Sequence, residues 1–326
     1  MIRAAPRRAA LPLLIGALVA AGVSGGARAE PAGGGCAHDA ALEAAVASAL
    51  RKKVRDIEST PGVRIEITFG CPAVSEPRQV TALSAHGHGG FVNVLELTGA
   101  GEARALRLKP AAAPTLSGPP PKVTRATARP RAEAIQHALA FASAALASTI
   151  HVALPPPVPG AVQTISARAT THDEALEIRL TGTGGVSSTR RWDGYVDSTH
   201  AAARVPLEVA WEALWELAGG PLRPAPVEEP DRAAFQRLLD SDGPRPRFLN
   251  DGLLELGAVL ATRPVVPSLT PFLQAPSERT QLLAVNALAT ATGTDLRRDA
   301  AGALRPLADV TAAYRALAAP PPAPRH

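Results

Sequence analysis

Aromatic residues are scarce in this 326-residue chain: Phe, Trp and Tyr together make up 3%, and there is one methionine. A core with so few rings must be assembled from Leu, Val, Ile and Ala, which favours thin, closely packed helices. Motifs that announce a reaction are missing as well. The chain has no Gly-x-Ser-x-Gly elbow, Walker-type phosphate loop, dinucleotide glycine fingerprint or His-Glu-x-x-His helix. It also lacks a Lys/Arg run interleaved with aromatics, which argues against nucleic-acid binding. No cofactor is implied, and no catalytic residue stands out.

The first 29 residues have a character of their own. Arg3, Arg7 and Arg8 precede an uncharged, mostly apolar run from Ala9 to about Val23, and Ala27-Arg28-Ala29 follows as a small-x-small site. This order predicts a cleavable secretory signal peptide over 1–29 and export to the periplasm or beyond. The apolar run falls short of the roughly 20 residues that a helical membrane span needs. No stable membrane span is therefore expected after cleavage. Lipidation at Cys36 is disfavoured because Gly33, three residues before it, stands where a lipoprotein signal places leucine.

The segment also carries Arg28, so four arginines and no acid lie within 1–29. The whole chain has 34 Lys+Arg against 29 Asp+Glu, so the remainder holds 30 against 29 and is close to neutral. The apparent basicity belongs to the signal. Two cysteines, Cys36 and Cys71, lie beyond it, and in an oxidising compartment they are expected to form one disulfide. The 32 prolines gather in connections, among them Pro119-Pro120-Pro121, Pro155-Pro156-Pro157 and Pro320-Pro321-Pro322.

From residue 30 to about 222 the pattern is α+β. Asp39 is a plausible cap for a helix over 39–57, in which Leu42, Val46, Leu50, Val54 and Ile57 recur at helical spacing. Val63–Phe69 alternates as a strand. Further strands are expected at Gln79–Ala85, Phe91–Leu97 and Ala103–Leu108, then a Pro-rich link over 110–122 and a helix over 131–149. Strands at Val162–Ala169, Ala175–Leu180 and Ser187–Tyr195 and a helix at Val205–Leu217 repeat that order. Short matches support a duplication of units near 36–109 and 131–218. Ala82–Ala85 faces Thr164–Ala167, and Leu97–Gly101 faces Leu180–Gly184. Two such units could share one antiparallel sheet covered by helices.

Residues 223–319 change to helical periodicity, with a Pro-rich tail at 320–326. At an offset of 34, Phe235, Leu238 and Leu239 match Leu269, Phe272 and Leu273, and Phe248, Leu249 and Leu254 match Leu282, Leu283 and Leu288. Each unit reads as a helix, a polar turn (Ser241–Arg245, Ala275–Arg279) and a second helix. A last helix is expected at 307–317. With Pro264–Leu269, Leu282–Leu288 and Thr292–Asp295, the stretch 231–318 resembles short bacterial HEAT-type repeats. The family's valine-arginine pair at the start of the second helix is absent, with Gln281 and Leu282 near that place, and a plain helical bundle stays an alternative. A HEAT-like array implies a surface for protein partners.

Few polar clusters suggest chemistry. His86-Gly87-His88 ends a strand, and with His172 it is a candidate metal site; an exposed polar turn is the competing reading. Ser187–Tyr195 could recognise an anionic or carbohydrate ligand, or be an outer strand. The adjacent acids Asp173-Glu174 and Glu228-Glu229 do not share a face, and His137 reads as a partly buried helix residue. Together these features point to an exported, non-catalytic binding, adaptor or assembly protein that uses its helical repeats for protein contacts. An envelope hydrolase or metal-dependent enzyme with a site built from scattered loops is the alternative.

Overall fold

Asp39 caps the first helix by accepting from the backbone N–H groups of Ala41 at 3.0 Å and Leu42 at 3.1 Å. Helix α1 (Ala40–Glu58) then buries Val46, Leu50 and Val54 completely, which is the face its spacing dictates. Strand β1 (Arg64–Phe69) follows with alternating exposure. Cys36 and Cys71 are disulfide-bonded with Cα atoms 5.6 Å apart, tying the start of α1 to the end of β1. Closing this 35-residue separation contributes about 3–4 kcal/mol in the chain-entropy account.

This computed structural model describes residues 36, 38–58, 62–86, 90–110, 114–118, 121–153, 174–192, 201–218, 221–241 and 243–318. The signal segment, His88, His172, the strand expected at 162–169, Asp193–Tyr195 and the Pro-rich tail lie outside them. The elements from Cys36 onward belong to one compact unit.

Strands β2 (Pro77–His86), β3 (Val92–Thr98), β4 (Glu102–Lys109), β5 (Lys122–Ala128), β7 (Glu174–Gly182), β8 (Ser187–Trp192) and β9 (Arg223–Pro224) form one sheet. Its order is β8-β7-β2-β3-β4-β5-β9, antiparallel throughout. Helix α2 (Ala132–Ala147) gives way directly to β6 (Ser148–Ala153), which pairs with β1 in a separate two-stranded ribbon. The helix expected over 131–149 therefore stops two residues early. The β-branched Thr149, Ile150 and Val152 prefer the ribbon, although Ile150 keeps helical spacing from Leu146. Strand β5 was not legible, because its partner β4 is reached by a long proline-rich connection and not by a tight hairpin. The matched segments Leu97–Gly101 and Leu180–Gly184 both turn hairpins, β3 to β4 and β7 to β8, with Gly101 and Gly184 at positive φ.

Both faces of the large sheet are covered. One carries Val80, Ala82, Leu95, Leu97, Leu176 and Ile178 and packs against α1, α2 and α3 (Ala201–Leu217). The other carries Leu83, Val92, Val94, Leu106 and Leu108 and packs against the C-terminal helices. These are α4 (Glu229–Leu239), α5 (Arg247–Leu260), α6 (Val266–Leu269), α7 (Glu278–Thr292) and α8 (Leu307–Ala318), with short 3₁₀ turns at Arg263–Val265 and Thr270–Gln274. The architecture is α+β in three layers. Helices α4 and α5 lie on the sheet, α7 packs on α5, and α8 packs on α7. Gly252 permits the close approach of α5, since a Cβ there would meet the Ala85 Cβ at 2.6 Å. Among the described residues no helix is long and apolar enough to cross a membrane.

Candidate functional site

Three buried ion clusters join the sheet to the helical layer. Glu177 on β7 is fully buried and accepts from Arg191 Nε at 3.0 Å, Arg245 Nε at 2.6 Å and Ser241 Oγ at 2.6 Å. Arg125 on β5 pairs with Glu228 at 2.6 Å and with Asp231. Glu96 on β3 pairs with Arg237 and accepts from Gln79 at 2.7 Å. Each charge is compensated inside a water-poor layer, where removing one partner typically costs about 3–5 kcal/mol. These clusters fix how the helices register on the sheet, and the Nε groups of Arg125 and Arg237 are buried within them without a hydrogen-bond partner. Sequence reading missed them because the partners are far apart along the chain.

The clusters also redefine one candidate. Within Ser187–Trp192, Arg191 turns inward to Glu177 and to Ser241 Oγ at 2.8 Å, so it is not part of an exposed recognition surface. His86 ends β2, and its backbone N–H donates to the Phe91 carbonyl at 3.2 Å. Burial holds its pKa below the ordinary imidazole value, and the positive charges of Arg107 and Arg204 push in the same direction. A setting of arginines repels a divalent cation. His88 and His172 lie outside the described residues, and among those described no group of three or more His, Cys, Asp or Glu could hold a metal. His137, expected to be partly buried, is exposed on α2.

The groups that do converge lie in the helical layer. A cavity of about 400 Å³ opens between the described residues of the proline-rich link (Pro110, Pro114, Thr115, Gly118 and Pro121) and helices α5 and α7. One stripe of α7 forms its floor through Leu283, Asn286, Ala289 and Thr290, the spacing of a single helix face, with Gly293 just beyond the helix end. Glu255 and Ala258 of α5 supply one wall and Pro110, Pro114 and Pro121 the other. Asn286 Nδ2 donates to the Thr115 carbonyl at 3.2 Å, and its Oδ1 accepts from Arg297 Nη1 at 3.0 Å. Arg297 is held in turn by Asp295, at 2.7 and 3.0 Å. That bond keeps the Asp295 carboxyl below the usual carboxylate range.

Glu255 is 7% exposed and accepts from Arg279 Nη2 at 2.7 Å. Burial pushes its pKa up to about 7, and the nearby Asp251 charge adds to the rise, while the Arg279 charge opposes both. Asp251 itself accepts from Thr280 Oγ1 at 2.7 Å. The hydroxyls among the described lining residues are those of Thr115 and Thr290, and Thr290 Oγ1 donates to the Ala258 carbonyl at 2.7 Å. Among the described lining residues no histidine, serine or cysteine joins them, and the acids are Glu255 and Asp295. A wider opening of about 580 Å³ between α1, α2 and α3 includes Lys52, Lys53, Phe141, Trp211 and Trp215. Lys53 and Glu212 pair across its rim, and Trp211 stacks on Trp215 at 5.3 Å.

No protein-family model, curated protein or solved structure matches the chain. The chemistry of the groove itself carries the functional reading.

Proposed function

We propose that this is an exported, non-catalytic binding protein whose HEAT-like helical layer holds a segment of a protein partner in the groove between α5, α7 and the stretch 114–118. One observation carries the reading: Asn286, at the middle of the groove floor, already donates to a main-chain carbonyl of a proline-flanked peptide, that of Thr115. A floor that reads backbone, walls of Pro, Ala and the buried Glu255, and a polar rim of Asp295 and Arg297 suit an irregular peptide. The Cys36–Cys71 bond supports an oxidising destination.

The decisive test uses point variants, because α4 and α5 cover the sheet and cannot be deleted without exposing it. A photo-crosslinking residue at Ala289 should capture a partner, whereas one at the exposed Glu133 should not. Asn286→Ala together with Arg297→Ala should reduce capture at Ala289 by tenfold or more with an unchanged melting temperature. Equal capture from both positions, or indifference to the double variant, rejects the groove as the partner site. The enzyme alternative rests on Glu255, whose proton exchanges near neutral pH. It would require a turnover that Glu255→Gln abolishes.

A further inference from the structure

Among the described residues several inward-facing arginines are matched to acids, as Arg125 is to Asp231, Arg191 and Arg245 to Glu177, and Arg279 to Glu255. Arg107 is not. It sits on β4 on the face turned towards α3, and its Nε donates to Asn93 Oδ1 at 2.7 Å. Asn93 is itself fixed, its Nδ2 donating to the buried Ser84 Oγ at 3.1 Å. The guanidinium carbon lies 4.8 Å from the Phe91 ring centroid and 5.5 Å from that of Trp215. Two aromatic rings and a carboxamide thus hold the plane of the group, and none of them carries a negative charge. Among the described residues no carboxylate reaches Arg107.

Lys109, two residues along the same strand, places its Nζ 5.9 Å from the same Phe91 ring and has no carboxylate partner among the described residues either. Phe91 is 40% exposed, Lys109 is exposed and Arg107 is half-buried. Arg204 adds further positive potential nearby, with Glu208 beside it at 2.5 Å. Burial, and then the charges of Arg107 and Arg204, hold the pKa of His86 below the ordinary imidazole value.

We infer that Arg107 and Lys109, flanking Phe91 at the end of the large sheet, form a binding site for the phosphate group of a monoester. A planar fork oriented in advance, with its Nη groups uncommitted, matches an oxyanion in two hydrogen bonds. Two neighbouring positive charges suit a dianion, and a phosphate monoester carries close to two negative charges at neutral pH, where a carboxylate carries one. This site is separate from the peptide groove and stands whether or not the groove binds a partner.

Because Trp215 lies against Arg107, its fluorescence reports occupancy. Titration of the mature chain with inorganic phosphate or glycerol phosphate at low ionic strength should shift tryptophan emission saturably, and the shift should disappear in Trp215→Phe. Arg107→Gln should weaken binding at least tenfold. Arg107→Lys should lose most of it, since charge remains but the fork does not. Lys109→Gln, an exposed change that leaves the fold alone, should weaken it several-fold. Asn93→Asp gives Arg107 an internal carboxylate and should switch the site off with Arg107 still present. A lipid headgroup is the other source of the same chemistry. Co-sedimentation with phosphatidic acid vesicles in phosphatidylcholine, but not with phosphatidylcholine alone, and lost in Arg107→Gln, assigns the site to lipid. Saturable binding of the free phosphates assigns it to a small ester. If neither probe binds the wild-type chain, or if Arg107→Gln and Asn93→Asp bind as well as wild type, the site does not exist.

Discussion

Glu255 shows how one residue can couple the groove to pH. Its folded-state pKa of about 7 lies above the ordinary glutamate value, so the native state holds a proton that the unfolded chain has lost. Stability from this residue is fully present below about pH 4.5 and is lost as pH rises through about 7. The shift corresponds to roughly 3 kcal/mol. Denaturant titrations at pH 5 and pH 8 should show the wild-type chain losing most of that amount at the higher pH. Glu255→Gln should flatten this part of the profile, and an unchanged slope would mean that Glu255 is already ionised at pH 5. Sequence reading did not single the residue out. Glu255 falls in the apolar run Leu253–Val259 of a helix, and only the packing of α7 against it reveals that it is buried.

At the scale of elements, the strongest local patterns translated directly. Asp39 caps α1, the Val46–Leu50–Val54 stripe is buried, and Cys36 joins Cys71. The pairs of elements separated by 34 residues also appear in order, α4 then α5, and α6 with its 3₁₀ extension then α7. Where the reading failed, at β5 and β6, strand pairing with distant segments overrode weak local signals. Gly252 tests the closeness of α5 to the sheet. Gly→Ala inside a helix ordinarily stabilises by about 0.5–1 kcal/mol. Here the new methyl would overlap Ala85, and overpacking of that kind costs about 1–3 kcal/mol. The overlap should win, so Gly252→Ala should lower stability by about 1–2 kcal/mol in denaturant melts. A stabilised variant would show that α5 sits further from β2.

Taken as a whole, the molecule does not divide into a sheet region and a free helical tail. The helices complete the second core, so a chain ending near residue 228 would expose Leu83, Val92, Val94, Leu106 and Leu108, leave Glu96 without Arg237, and take Arg245 from Glu177 and Asp231 from Arg125. Such a truncation should bind a hydrophobic dye and lose its cooperative thermal transition; a sharp two-state melt would refute the shared core. The sequence by itself determined what is local: which stretches are helical or extended, the cap at Asp39, the pairing of the two cysteines, and the near-neutral charge left beyond residue 29. Only the tertiary structure decided which face of each strand meets which helix and which charges meet. Arg245 and Glu177 are 68 residues apart, Arg125 and Asp231 are 106 apart, and Asn286 and Thr115 are 171 apart. Periodicity tells a chain which side of an element to bury. Partners at those separations are chosen by how the layers align, which no short stretch of sequence encodes.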